Sequence, residues 1–134
     1  MLLQFLYRRQ KYSKTRVTIG KRTLNALLAD TFVKKMIGLM FRDGLPSGTC
    51  MLFAFDYRSR QGIWMRNMRF AIDIVWLDER KRITGMKSAA KPAYGFFDFT
   101  TYYPESPSKY ILELPSGFLS RNRIAKNSKV SFKI

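Results

Sequence analysis

Six side chains in this sequence are of the types that binding or catalysis needs, and all stand in or beside apolar stretches: Arg42, Trp64, Arg66, Asn67, Asp73 and Glu113. Asp73 sits inside "FAIDIVW" and Glu113 inside "YILELP", whereas Asp43, Asp78, Glu79 and Glu105 fall in segments with turn chemistry. A carboxylate in an apolar strand must find a partner or take up a proton, because an unpaired buried charge costs several kcal/mol. Strand alternation puts Ala71, Val75 and Leu77 on the same face as Asp73. Solvent is therefore not its expected neighbour, and an ion pair with Arg42 or Arg66 is.

Gathered beside Trp64, these residues read in two ways. One is a site for a small polar ligand, a saccharide or another polar metabolite, with the indole face as platform and the arginines, Asn67 and the carboxylates orienting it. The other is a buried hydrogen-bond network that pins strand register, with Trp64 in the core.

Much catalytic chemistry is missing. The chain has no histidine, which removes the commonest general base near neutral pH and the commonest zinc ligand. Cys50 is the only cysteine, and its neighbours Met51, Leu52 and Phe53 predict a buried, unreactive thiol. No phosphate-cradling glycine pattern is present. Asp73 and Glu113 could form an acid pair, as in a glycosidase, but only their residue types suggest it. The reading is a non-catalytic binding domain with no cofactor and no metal, and an acid-pair hydrolase is the least favoured option.

Charge opens a different possibility. The 134 residues carry 25 Lys and Arg against 9 Asp and Glu, a formal +16. Arg8, Arg9, Lys11, Lys14, Arg16, Lys21 and Arg22 precede the first acid, Asp30, and Arg121, Arg123, Lys126, Lys129 and Lys133 follow the last, Glu113. Polycationic ends attract nucleic acid or other polyanions. Exposed rings between Tyr94 and Tyr103 could add stacking, yet no Lys or Arg lies between Pro92 and Ser108 to interleave with them. A solubilising surface explains the same charges.

The elements that must position these residues are mostly strands. β-branched residues on either side of Gly20 predict a hairpin over Arg16 to Leu28, and Asp30 or Thr31 can cap a short amphipathic helix near residues 31–40. Strands follow over Cys50–Phe55, Phe70–Leu77, Ile83–Ala90, Lys109–Pro115 and Lys129–Ile134, with an aromatic loop from Lys91 to Lys109. The strand over Phe70–Leu77, apolar on both faces, is expected to be central. The fold class is mainly β, a single-domain sandwich or barrel-like fold. Residues 1–14 read as a basic extension or edge strand, with a weak interfacial anchor as the alternative, and residues 15–134 as the β domain. One cysteine and no secretory pattern predict a cytoplasmic setting, and no stretch is long enough to span a bilayer.

Five motifs sharpen this picture. "GLMFR" (38–42), "MLFAF" (51–55), "IWMRN" (63–67), "IDIVWLD" (72–78) and "YILELPSG" (110–117) stand in order and spacing similar to those of the domain of unknown function 192 family. The resemblance runs from about Val17 to Lys133 and implies a mostly β, sandwich-like domain with no established activity. Cys50 replaces the family's usual glycine, Met68 its threonine, and Ala71-Ile72 its Pro-Leu. Losing the threonine removes a hydroxyl from the polar cluster.

Overall fold

The computed structural model describes residues 1–134. Alternating apolar residues in β1 (Lys14–Ile19) and β2 (Arg22–Ala29) form the expected hairpin, with Thr18 opposite Thr23. Its turn uses Gly20 at φ +60°, where a Cβ would meet the Ile124 side chain at 2.9 Å. Thr31 then caps α2 (Phe32–Ile37), its hydroxyl accepting from the Lys34 amide at 3.2 Å. This crossover lets β3 (Thr49–Ser59) return parallel to β2. A parallel neighbour requires such a long connection.

The chain next makes β4 (Ile63–Trp64), β5 (Ile72–Leu77) and β6 (Ile83–Ala90), then β7 (Thr101–Tyr102) and β8 (Ser108–Pro115). β8 inserts between β3 and β5, giving a six-stranded mixed sheet in the order β1-β2-β3-β8-β5-β6, and β4 pairs with β7 in a small second sheet. The protein is mainly β, as its patterning predicts, and β5 is buried along its whole length. The main sheet does not close into a barrel. The expected last strand is reduced to two single bridges, Thr18 to Ser131 and Arg82 to Lys129, so the tail reaches from one sheet edge to the turn leading into the other.

Two helices were not legible as such. Residues Leu2–Arg9 form α1 rather than an edge strand, with Arg8 and Arg9 in the last turn where cations suit the helix dipole. None of its residues is buried, and the Tyr7 ring rests 5.9 Å from that of Phe41. α3 (Phe118–Arg121) follows β8 and buries Phe118 and Leu119. No helix is long and apolar enough to cross a membrane.

The main sheet divides the core in two. Cys50, Leu52, Val75, Leu112 and Leu114 point to one face, which α3 and the tail residues Val130 and Phe132 cover. Met51, Phe53, Ile74, Trp76 and Ile111 point to the other, where the turn after α2 and the β4 region pack through Leu39, Ile63 and Met65. Alternation along the regular stretches of each strand thus sorts their residues by face.

Candidate functional site

Asp73 lies opposite Leu114, and Glu113 lies opposite Ile74. Directly paired residues share a face and successive ones do not, so the two carboxylates project to opposite sides of the sheet. They cannot act on one substrate. The acid pair fails for this reason.

Asp73 turns to the face covered by α3. It is fully buried, and it accepts hydrogen bonds from three backbone amides: Ala89 at 2.9 Å and Gly117 at 3.2 Å on Oδ1, and Leu119 at 2.9 Å on Oδ2. Ala89 sits at φ +50° where the β5–β6 register shifts between Ile72 and Ile74. Bulges leave amides unpaired, and helix N-termini do so by construction. One aspartate satisfies both. The expected arginine pairing does not form: the carboxylate turns to the α3 face and meets backbone donors there, while Arg66 stands against Trp64 on the cavity side of the sheet.

Glu113 turns to the opposite face and is 4% exposed. Its Oε2 has no hydrogen-bond partner, and burial pushes its carboxyl up to about 8. It lines the floor of an open cavity of about 800 Å³, with Phe53, Gly38, Lys35, Tyr103 and Trp64 among the walls. That volume falls within the range of small-molecule sites, roughly 300–1,000 Å³. Gly38, at φ +52°, leaves room beside the carboxyl: a Cβ there would stand 3.8 Å from Oε2 and 3.2 Å from the Phe53 ring. Between positions 54 and 59 β3 advances five residues while β8 advances two, from 110 to 108. The bulge carries Asp56 and Tyr57 to the cavity wall.

Trp64, 41% exposed, lines the same cavity. The Arg66 guanidinium lies 5.9 Å from its ring, 5.8 Å from Phe96 and 5.1 Å from Phe99, and donates to the Phe96 carbonyl at 3.2 Å. Arg66 therefore braces the aromatic loop outside the cavity. Asn67 takes φ +57°, which asparagine tolerates better than most residues. Its carbonyl accepts from the Phe41 amide at 3.0 Å, holding the turn after α2. Arg42 stands over the rings of Tyr7 and Tyr12, 5.7 and 5.5 Å away.

Of the six expected residues, the fold thus brings Trp64 and Glu113 to one cavity, sets Arg66 against the tryptophan, and distributes Arg42, Asn67 and Asp73 elsewhere. Lys35, Tyr57 and Arg60 also line the cavity and were not singled out, and Tyr103, expected only as a stacking ring of the aromatic loop, lines it too. The alternation in "MLFAF" was the usable signal for part of this wall, since it places Phe53 on Glu113's face.

Cys50 lies in the core on the α3 face, and burial pushes its thiol up to about 12. It is a packing residue.

A mainly β domain with a six-stranded mixed sheet and a small second sheet, one face of the main sheet sealed and the other open over a buried acid, is the class that fold and site define. The chain belongs to the DUF192 family, described as an uncharacterized ACR, whose profile matches residues 15–132. It is 29% identical to a UPF0127 protein of Thermococcus kodakarensis over 105 residues, 78% of this chain and 62% of that one. A UPF0127 protein of Pyrococcus furiosus is 31% identical over 77% of this chain and 83% of its own length. The chain spans 62% and 65% of the length of two Thermococcus relatives. Among solved structures, a Sinorhizobium meliloti protein described as a proposed transcription regulator superposes with TM-score 0.82 at 25% identity, covering 92% of this chain and 97% of that one. A Novosphingobium aromaticivorans protein of unknown function superposes with TM-score 0.78 at 26% identity, over 90% and 84% of the two chains.

Proposed function

We propose that this domain binds a small molecule, without transforming it, in the cavity between Trp64 and Glu113. One observation carries the reading: a buried carboxyl with an unpartnered oxygen lines an open cavity of ligand size. Leaving such a group unsatisfied costs roughly 1–3 kcal/mol, a cost that a bound ligand would offset. Trp64 supplies a rigid face at the wall. Arg42, Asn67 and Asp73 belong to the scaffold in this reading, and Arg66 acts by holding the loop behind the indole.

A thermal-shift screen of saccharides, nucleosides and amines against the full chain tests it. A ligand present at 100 times its Kd should stabilise the fold by about 2.7 kcal/mol. Trp64→Ala should keep the unliganded transition and lose the shift. If no compound stabilises the wild type while Glu113→Leu raises its stability, Glu113 is a tolerated core acid and the reading falls.

A second reading is nucleic-acid or other polyanion binding through the basic termini. What favours it is the exposure of Phe96, Phe97 and Phe99 in a chain of net charge +16, together with the description attached to the Sinorhizobium structure. Filter binding across salt decides, because phosphate contacts make affinity fall steeply with ionic strength. A flat salt response removes it.

A further inference from the structure

We infer that the ligand of this cavity is a small organic cation, an aromatic amine, with its ammonium group against Glu113 and its ring against Trp64. The inference rests on the small-molecule reading above and narrows it to one chemical class.

The polar groups of the cavity argue for that class. Two cationic side chains line it, and both are already engaged: Lys35 Nζ donates to the Ala54 carbonyl at 3.1 Å and lies 4.7 Å from the Phe55 ring, while Arg60 Nε donates to the Pro104 carbonyl at 3.0 Å. Neither is bonded to Glu113. Both keep their charge, since a carbonyl does not neutralise it, but an anionic ligand seated against Glu113 would meet a carboxyl to which neither cation is bonded. A cation there meets a group that becomes its counter-ion by giving up a proton. Besides Glu113, Asp30 and Asp56 line the cavity, and the half-exposed Asp30 makes only a loose contact with Lys34 at 3.8 Å.

Ring faces add to the selection. Phe53, Phe55, Tyr57, Trp64 and Tyr103 line the same space, and aromatic faces attract ammonium groups within about 6 Å, more strongly when desolvated. The overall charge of +16 opposes cation approach. That field is screened beyond roughly 8–10 Å in ordinary buffer, so it slows arrival more than it weakens the bound state at the floor.

Protonation gives the test its leverage. Glu113's register neighbours, Met51 on β3 and Ile74 on β5, are apolar. The charged or titratable groups sharing its cavity are Lys35 from α2, Asp30 before it, Asp56, Tyr57 and Arg60 from the β3 side, and Tyr103 beyond β7. With its carboxyl raised to about 8 by burial, Glu113 is mostly protonated at pH 7. A cation needs the carboxylate and must displace that proton, so its affinity rises with pH. A neutral hydrogen-bonding ligand needs no such exchange.

Three indoles of similar shape, tryptamine, tryptophol and indole-3-propionate, should be titrated into the full chain by calorimetry from pH 6 to 9. Tryptamine is expected to bind at least tenfold tighter than the other two. Its affinity should grow about eightfold between pH 6.5 and 7.5 and level off above 8.5. Glu113→Gln, which keeps the side-chain shape, should retain the folded transition and lose both the preference and the pH dependence. Equal binding of tryptophol, a flat pH profile, or full tryptamine affinity in Glu113→Gln would overturn the inference. If tryptophol binds and depends on Trp64 but not on Glu113, the small-molecule reading stands and the cation falls; if none of the three binds, the cation falls and the small-molecule reading is decided by the broader screen above.

Discussion

A carboxyl group inside a β-sheet core must be answered by donors or hold its proton, and the two buried acids here take different routes. Asp73 is answered by the amides of Ala89, Gly117 and Leu119. Asp73→Ala orphans three N–H groups at about 1–3 kcal/mol each, so urea unfolding should register a loss of 3 kcal/mol or more. A loss below about 1 kcal/mol would mean that water reaches these amides and the carboxylate is dispensable. Glu113 instead holds its proton. Its folded pKa, about 8, lies above the ordinary 4.5, so the folded state binds the extra proton between these values and the slope of stability against pH is negative there. The contribution is whole below about pH 4.5, shrinks by at most about 1.4 kcal/mol per pH unit on the way up, and is gone above about 8. Comparing wild type with Glu113→Gln in denaturant titrations from pH 5 to 8 should show the wild type alone losing this increment.

At the scale of elements, the bulge in β6 and the four-residue α3 share one anchor, which ties the end of β8 to the far side of β5. Arg66 plays a comparable part for the aromatic loop, joining Trp64 to Phe96 and Phe99 through ring contacts and one carbonyl. Exposed cation–π contacts contribute about 0.5–1 kcal/mol apiece. Arg66→Ala should leave the global transition within about 1 kcal/mol, yet raise the rate of chymotrypsin cleavage at Phe96 to Phe99 several-fold. An unchanged rate would show that the loop is held by its own turns, where Asp98 caps Tyr94 and Thr100. The strands were legible because alternation and turn residues are local signals, as "KTRVTI" and "YILELP" illustrate. Asp73's partners were not: they are backbone amides 16, 44 and 46 residues away, and an amide has no residue type to recognise. The parallel return of β3 was hidden for a similar reason, since pairing direction depends on the crossover and not on the strand's own composition. α1 was missed because eight residues, none of them fully buried, carry too little burial pattern to separate helix from strand.

For the molecule as a whole, the sheet gives its two faces separate work. The face of Asp73 is sealed by α3 and by the tail, and the face of Glu113 stays open to a cavity. Sealing also addresses a hazard of open sheets, because β1 and β6 are edges with unpaired backbone groups. The tail blunts both at one end: Thr18 and Ser131 exchange amide-to-carbonyl bonds at 2.8 and 2.9 Å, and the Ile83 and Val130 amides donate to Ser128 and Lys81 at 2.9 and 2.8 Å. What holds it there is burial, since Val130 and Phe132 sit in the core and the Phe132 ring packs edge-on against Tyr110 at 5.0 Å. Phe132→Ala should therefore cost about 3–5 kcal/mol, the usual penalty for emptying a buried aromatic site. Hydrogen exchange locates that loss. If the tail is one cooperative clamp, the Thr18, Ile83 and Val130 amides should lose protection together, while amides of β5 and β8 slow or quicken only with global stability. Loss at Val130 alone, with Thr18 and Ile83 still protected, would mean that each edge is held by its own neighbours and that the tail merely covers the core. The open face gives an independent control: Glu113→Gln should leave the tail amides unaffected beyond any change in global stability, because the sheet lies between them.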